Sequence, residues 1–284
     1  MGLFDNSIKE YKNLNENIHL IDATNMFCRS ALIQYKGQEI DFSIRVANFV
    51  KMFSKANRSR PKYCAAVFDS SRRNFRHDLY ADYKANRSKT YIKDEKKLLK
   101  TVKRILHYSG FTVLGSDNYE ADDIIGALSR LATKKNRVII HSEDKDFVQL
   151  INENVTLLKG GILYDERMVK LKYGVSPSQF VEYLALIGDS IDNIPGIKLW
   201  GPKTAVEYLN KYGCIANIQK QDLRQSLCNI KDEKKVALYK KLVTIKKNIK
   251  VINSLDDIVI GKRNFEKLSE LSQKHKLFIG DIYG

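Results

Sequence analysis

The sequence predicts an α/β fold: a central, mainly parallel sheet flanked by helices, followed by a helical second part. Three observations predict it. Between Ile18 and about Tyr173, short apolar runs alternate with helical patterns, which is the texture of a parallel sheet. The apolar runs end in acids. From about Gly174 the strand-like runs stop and helical patterns remain.

The elements follow in order. "IHLID" reads as a buried strand ending at Asp22. Phe42 to Met52 is a helical pattern, and "YCAAVF" is a second strand running into Asp69. Leu98 to His107 is helical, and "FTVLGS" is a short strand-like segment. A helix from Asp122 carries an apolar stripe at Ile124, Ile125, Leu128 and Leu131. "RVIIHS" is a third strong strand, running out into Asp144 and Asp146. Beyond it, "SPSQFVEYLALIGD", "GPKTAVEYLNKYG" and "DEKKVALYKKLVTIKKN" are helical. The expected division is an N-terminal extension over 1–17, an α/β core over 18–173 and a helical region over 174–284. There is no internal repeat or low-complexity stretch.

Composition narrows the classes. With 284 residues, 43% of them apolar, a core is well supplied and global disorder is excluded. Cys28, Cys64, Cys214 and Cys228 have no close spacing, which argues against a disulfide framework or a cysteine zinc site. No apolar run approaches the roughly 20 residues of a membrane span. The start, "MGLFDNSIKEYKNLNEN", lacks the apolar core of a signal peptide. It also lacks the Ser or Thr at position six of a myristoylation signal. A soluble cytoplasmic protein is expected. The net charge of +16 points to a polyanionic partner. A lysine-rich drift in an AT-rich genome explains abundance but not clustering. Residues 72–104 hold twelve basic against four acidic side chains.

Acids mark the candidate site. Ligands of parallel sheets sit beyond the carboxyl ends of the strands, where Asp22, Asp69, Asp144 and Asp146 should emerge. The helix start "YEADD" adds Glu120, Asp122 and Asp123, and the turn "GDSIDNIPG" adds Asp189 and Asp192. Acids in a first helical turn are ordinarily dipole partners, worth a few tenths up to about 1 kcal/mol, with Asp117 or Asn118 as the expected cap. Each acid alone reads as a cap, a turn former or a surface charge. The set does not, because several separate element ends carry the same feature. Their mutual repulsion requires cations. Oxygen ligands without nearby His or Cys select Mg²⁺ or Mn²⁺. Two or more ions, about 4 Å apart, would activate a water and steady a leaving oxygen. His141 reads as a packing residue.

Two more segments suit a nucleic acid. "SSRRNFRHDLYADYKANRSKTYIKDEKK" is basic and interleaved with Phe75, Tyr80, Tyr83 and Tyr91, a combination that tracks phosphates and stacks bases. It is also long for a segment without a core pattern. "DNIPGIKLWGPKTAVEYL" places Gly196, Gly201 and Pro202 around a helix start, where backbone N–H groups hold phosphate. Lys198 and Lys203 add charge. Any helix–turn–helix joint uses Gly and Pro in this way.

Taken in order, LIDATN, VFDSSRRNFRHDLYADYKANR, YEADD, SEDKDFVQL, GDSIDNIPG and GPKTA closely resemble the structure-specific 5′ nucleases. That family includes the 5′-nuclease domain of bacterial DNA polymerase I, phage 5′-exonucleases and flap endonucleases. The resemblance runs from about Ile18 to Tyr212. It implies a PIN-like core with a helical arch over 72–104 and a helix–three-turn–helix for duplex DNA. It implies that Asp22, Asp69, Glu120, Asp122 and Asp123 serve one metal group, and that Asp144, Asp146, Asp189 and Asp192 serve a second, more weakly held metal. Tyr83, Lys84 and Arg87 match the base of the arch, with Arg76 just upstream. Lys84 would pair with the scissile phosphate and Tyr83 would stack on a base. Gly196, Lys198, Gly201, Lys203 and Thr204 match the duplex-binding turn, often with a bound K⁺. The chain departs from the family where Leu199 replaces a common glycine and Trp200 a smaller aliphatic.

The implied activity is 5′→3′ exonuclease and 5′-flap endonuclease cleavage of DNA, leaving 5′-phosphate and 3′-hydroxyl. The implied substrates are 5′ flaps, 5′ ends, junctions and RNA primers met during replication, acted on by a monomer. With no polymerase segment before Gly284, a phage or small bacterial stand-alone enzyme is expected. Rival readings are a branched-DNA-binding protein of the same fold that has lost catalysis, and a phosphatase or RNA-cleaving nuclease with a similar core.

Overall fold

The computed structural model describes residues 16–32, 40–70, 72–87, 94–218 and 232–277. Most of the 1–17 extension, Tyr91 and Cys228 lie outside the described residues. Six strands form one sheet: β1 (Ile18–Asp22), β2 (Tyr63–Phe68), β3 (Thr112–Gly115), β4 (Val138–His141), β5 (Val155–Lys159) and β6 (Ile162–Tyr164). Their order is β3-β2-β1-β4-β5-β6. The first five run parallel and β6 returns antiparallel. The register sets Asp22 opposite Val67 and Ile21 opposite His141. The carboxyl ends of β1, β2 and β4 are therefore level, and the acids that follow them share one edge.

Every residue of β1, β2 and β4 is buried, as in parallel strands covered on both faces. Side chains alternate between two cores. Ile18, Leu20, Ala65 and Val67 face one core, with Ile124, Ile125 and Leu128 of the helix Ala121–Leu128. Ile21, Cys64, Ala66 and Phe68 face the other. There they meet Phe49 and Phe53 of the helix Phe42–Ala56 and Leu98, Val102 and Ile105 of the helix Glu95–Tyr108. Asp41 starts the former helix by accepting the Phe42 N–H. Each fully buried Leu or Phe contributes roughly 1.5–3 kcal/mol, so this alternation dominates the stability of the sheet.

Three features go beyond the sequence reading. Strands β5 and β6 were not anticipated; they are short, and join through Gly160 and Gly161, whose φ values of 59° and 78° suit a tight hairpin. Of the expected arch segment, 72–104, the described part, residues 88–93 aside, begins with a short helix, Phe75–Leu79. The segment's last residues open the helix Glu95–Tyr108, with Leu98, Thr101 and Val102 buried against the sheet. The described helices beyond 174 lie on both faces of the sheet. The helices Phe180–Ile187, Pro202–Tyr212 and Glu233–Val243 pack on the first core. The chain then returns to the opposite face. Tyr63 bridges Val259, Gly261 N–H donates to the Gly110 carbonyl at 2.8 Å, and Leu271 and Leu277 enter the second core. No described helix is long and apolar enough to cross a membrane.

Candidate active site

The acids at the helix start divide three ways. Glu120 is the N-cap residue of Ala121–Leu128, and Asp122 and Asp123 lie in its first turn. Neither Asp117 nor Asn118 caps this helix. Asp117 is instead in an exposed pair with Arg72 at 2.9 Å. The Ala121 N–H is taken by Asp69 Oδ1 at 2.6 Å, so the carboxylate after β2 holds the helix from another strand. From this start, Glu120 turns toward Lys84, Asp122 toward the strand-end acids and Asp123 back into the core.

The strand-end acids form a buried basin. Asp22 Oδ2 accepts the Ser142 hydroxyl at 2.7 Å and Asp22 Oδ1 accepts the Asn25 N–H at 3.0 Å. Ser142 Oγ also receives the Asp144 N–H at 3.0 Å, and Asp144 Oδ1 receives the Asp146 N–H at 2.9 Å. One hydroxyl thus ties the end of β1 to the loop after β4. Burial pushes the Asp22 carboxyl up to about 7, against the pull of Asn25 and Ser142, and the charges of Asp69 and Asp144 push the same way. Asp122 is raised well above the ordinary range by burial and by Asp144, Asp22 and Asp69. Asp146 is raised by burial and by Asp144, with Lys145 opposing. Asp144 is therefore felt by both sets of acids, and joins them.

Side-chain cations close the other side. Lys84 Nζ lies 2.6 Å from Glu120 Oε1 and 3.8 Å from Asp192 Oδ2. Arg87 Nη2 donates to Asp192 Oδ1 at 2.5 Å. Burial alone would raise Glu120, but Lys84 and Arg76 outweigh it and hold the carboxyl at about 2. Lys145 Nζ donates to Asp189 Oδ2 at 2.5 Å. Among the described residues, no three His, Cys, Asp or Glu side chains close around one point as they stand. The cations account for part of this, because they draw Glu120, Asp192 and Asp189 toward themselves.

Three expected roles do not fit this geometry. Asp123 is fully buried and gives both carboxylate oxygens to Arg76 at 2.8 Å. It also accepts the Lys246 and Glu120 N–H groups, so its carboxylate is turned to Arg76 and not to the basin. Arg76 is only 2% exposed and donates further to the Leu242 and Thr244 carbonyls, both at 2.9 Å. It has no path to a substrate. Tyr83 is 3% exposed, with its hydroxyl 3.0 Å from Asp192 Oδ2 and 3.2 Å from Glu120 Oε2. Its ring lies against His77 and under Lys84, which leaves no face for a base.

The glycine-containing turn is built by packing as much as by ligand access. Gly196 has φ 72°, and a Cβ there would sit 2.5 Å from the Gly188 nitrogen. Gly188, which the sequence reading passed over, is equally tight against the Ile194 carbonyl at 2.4 Å. Reciprocal 2.8 Å bonds between Asp189 and Ile194 lock the loop that carries Asp189 and Asp192. Trp200 is buried, its ring tilted on Tyr208 at 5.1 Å. Leu199 is exposed at φ 69°. Gly201 caps Pro202–Tyr212, and its Cβ space is open. Lys198 and Lys203 are exposed beside it and Thr204 is half-buried.

The residues present fit hard divalent cations. The basin is lined by carboxylates that raise one another, and Asp146 Oδ1 is buried without a hydrogen-bond partner. Ser142 and Lys145 were missed as site residues. Their signal was position, inside the "SEDKD" that follows β4. His141 is buried beside His19, with ring nitrogens 3.0 Å apart, a packing arrangement in the sheet.

Comparisons with known proteins identify the family and the fold. Residues 17–174 match the family model described as 5'-3' exonuclease, N-terminal resolvase-like domain, and residues 175–266 match 5'-3' exonuclease, C-terminal SAM fold. A 5'-3' exonuclease of Aquifex aeolicus is 36% identical over 81% of this chain and 81% of its own length. DNA polymerase I of Treponema pallidum is 31% identical over 94% of this chain, which spans 29% of that protein. A flap endonuclease of bacteriophage T5, solved with DNA and metal ions, superposes with TM-score 0.65 at 18% identity, covering 92% of this chain and 98% of that one. The chain belongs to the 5′-3′ exonuclease family and is a nuclease.

Proposed function

We propose that the chain cuts DNA at 5′ flaps, 5′ ends and junctions, leaving 5′-phosphate and 3′-hydroxyl, with Mg²⁺ or Mn²⁺ in the acid basin. The observation that carries this reading is the convergence of Asp22, Asp69, Asp122 and Asp144 from three strand ends and one helix start. Buried carboxylates that raise one another favour a bound cation over protons only when that cation carries enough charge. Asp22, Asp69, Asp122 and Asp144 would hold one ion. Asp146, Asp189 and Asp192 would hold a second, through Asp144 or water. Two such ions supply the charge that activates a water and steadies the departing oxygen.

The chain's own residues supply the rest. Ser142 fixes Asp22 and Asp144 relative to each other. Lys84, half-buried on the rim and held by Glu120, is placed to pass its charge to the scissile phosphate as negative charge develops. Arg87 is 47% exposed and guides the incoming strand. The helix start at Gly201 to Thr204, with Lys198 and Lys203, grips a duplex by its phosphates. Leu199 takes the left-handed conformation, φ 69°, that a glycine there would give. Likeness to DNA polymerase I supports a role in DNA replication, where the chain would remove flaps and RNA primers as a monomer.

An end-labelled 5′-flap duplex, incubated with Mg²⁺ or EDTA beside Asp144→Asn, tests the reading. Metal-dependent cutting near the junction that vanishes in the variant is the expected result. Tight binding without cutting in Mg²⁺ or Mn²⁺ would overturn it in favour of a branched-DNA-binding protein.

A further inference from the structure

Lys145 sits between two acids in sequence and between two acids in space. Its Nζ is 2.5 Å from Asp189 Oδ2 and 3.9 Å from Asp146 Oδ1. Its backbone is held on both sides. The Lys145 carbonyl accepts the Val148 N–H at 3.0 Å, and the Asp146 N–H is bound by Asp144 at 2.9 Å. The base of the Lys145 side chain is therefore fixed beside both acids, while its ammonium end stays free to turn. Asp146 Oδ1, the nearer oxygen of that carboxylate, has no hydrogen-bond partner although it is buried.

The two sets of acids differ in what neutralises them. Among the described residues, no Lys or Arg lies within ion-pair distance of Asp22, Asp69 or Asp122, whereas Asp189 has Lys145 and Asp192 has Arg87 and Lys84. We propose that Lys145 is a built-in counter-cation that competes with a divalent ion for Asp146 and Asp189, and so sets the affinity of that metal position. This rests on the metal-dependent reading above. The physics is a competition between charges at close quarters. For Asp146 and Asp189 to hold an ion, the Lys145 ammonium would have to move aside, and the ion pair it leaves is strong because the partners are partly desolvated. The Lys145 side chain is 30% exposed, so solvent is open to it as it leaves. An ion held by Asp22, Asp69 and Asp122 displaces no such partner. Lys145 thus acts as a positioning residue: it keeps Asp189 in place and makes occupancy of the second position depend on metal concentration.

Calorimetric titration of the intact protein with Mn²⁺, for wild type and Lys145→Gln, tests this without reading activity. The variant should bind the weaker Mn²⁺ at least ~10-fold more tightly, with the tighter site unchanged. An unchanged or weakened second site in Lys145→Gln, with two sites filled in wild type, would overturn the role of Lys145 and leave the metal reading standing. No Mn²⁺ binding to wild type would overturn both. Because the variant can fail to fold, a second measurement uses wild type alone: lysine acetylation of the protein in EDTA and in saturating Mn²⁺, read by mass spectrometry. Lys145 should become more reactive when Mn²⁺ releases it. Equal or lower reactivity in Mn²⁺ would overturn the proposal.

Discussion

Arg76 and Asp123 form a buried ion pair with two 2.8 Å hydrogen bonds, and it joins three distant parts of the chain. Arg76 enters from the segment after β2, Asp123 from the helix beside the acid basin. The Leu242 and Thr244 carbonyls, 166 and 168 residues on, complete the guanidinium's shell. Burial alone would lower the Arg76 proton affinity, but Asp123 and Glu120 raise it well above the ordinary range. Removing one partner leaves an uncompensated buried charge. Arg76→Ala should therefore cost roughly 3–5 kcal/mol, read as a lower urea midpoint. Arg76→Lys should recover little, because an ammonium lacks the planar fork. A loss of cleavage with unchanged stability would return Arg76 to the chemistry.

Lys84 and Tyr83 are neighbours with different fates. Lys84→Ala should slow cleavage by about 10²–10³-fold, the scale for loss of one group that stabilises developing charge, while duplex affinity changes little. Single-turnover cleavage beside equilibrium binding checks this, and an equal loss in both would make Lys84 an ordinary phosphate anchor. Tyr83→Phe should leave substrate affinity within about twofold. It should lower stability by roughly 1–3 kcal/mol, since Asp192 and Glu120 lose a buried donor. A large loss of affinity would restore base stacking by Tyr83.

The basin makes stability depend on pH. The Asp22 carboxyl is raised to about 7, and Asp122 and Asp146 are raised as well. Between an unfolded value near 3.8 and the folded value, the native protein binds more protons than the unfolded chain. Stability from this source is full below the lower value and falls as pH rises through about 7. His141, held well below its ordinary range by burial and by His19, acts oppositely and loses stability on acidification below about 6.5. Three acids outweigh one imidazole. In EDTA, melting temperature should fall as pH rises from about 5 to about 7, and Asp22→Asn should flatten the slope. Saturating Mg²⁺ should reverse it by binding the deprotonated acids. A flat profile in EDTA would refute the coupled basin.

Gly196 and Leu199 share a left-handed φ in one turn, for different reasons. Gly196→Ala places a Cβ 2.5 Å from the Gly188 nitrogen at φ 72°, and neither backbone can yield without moving the loop of Asp189 and Asp192. Such strain should cost roughly 1–3 kcal/mol and weaken metal binding too. Leu199→Gly should instead leave stability equal or raise it by up to about 1 kcal/mol, since the exposed side chain has little packing to lose. Thermal melting of both variants checks the contrast.

Much of this was legible in the sequence because it is local. The continuous apolar runs of β1 and β2, the acids that end them and the two acids in one helical turn are patterns of near neighbours, and they predicted the sheet, its edge and the basin. The excess of lysine and arginine predicted a polyanion. What the sequence did not carry is which carboxylate meets which cation. Asp122 and Asp123 are adjacent and chemically alike, yet a helix turns successive side chains about 100° apart, and one faces the basin while the other faces Arg76. The return of residues 258–277 to the sheet and the capture of Asp189 by Lys145 also depend on distant segments. Sequence by itself determined the kinds of groups at this site. Tertiary structure decided their partners, because ion pairing falls off over a few ångströms and only the folded chain sets those distances.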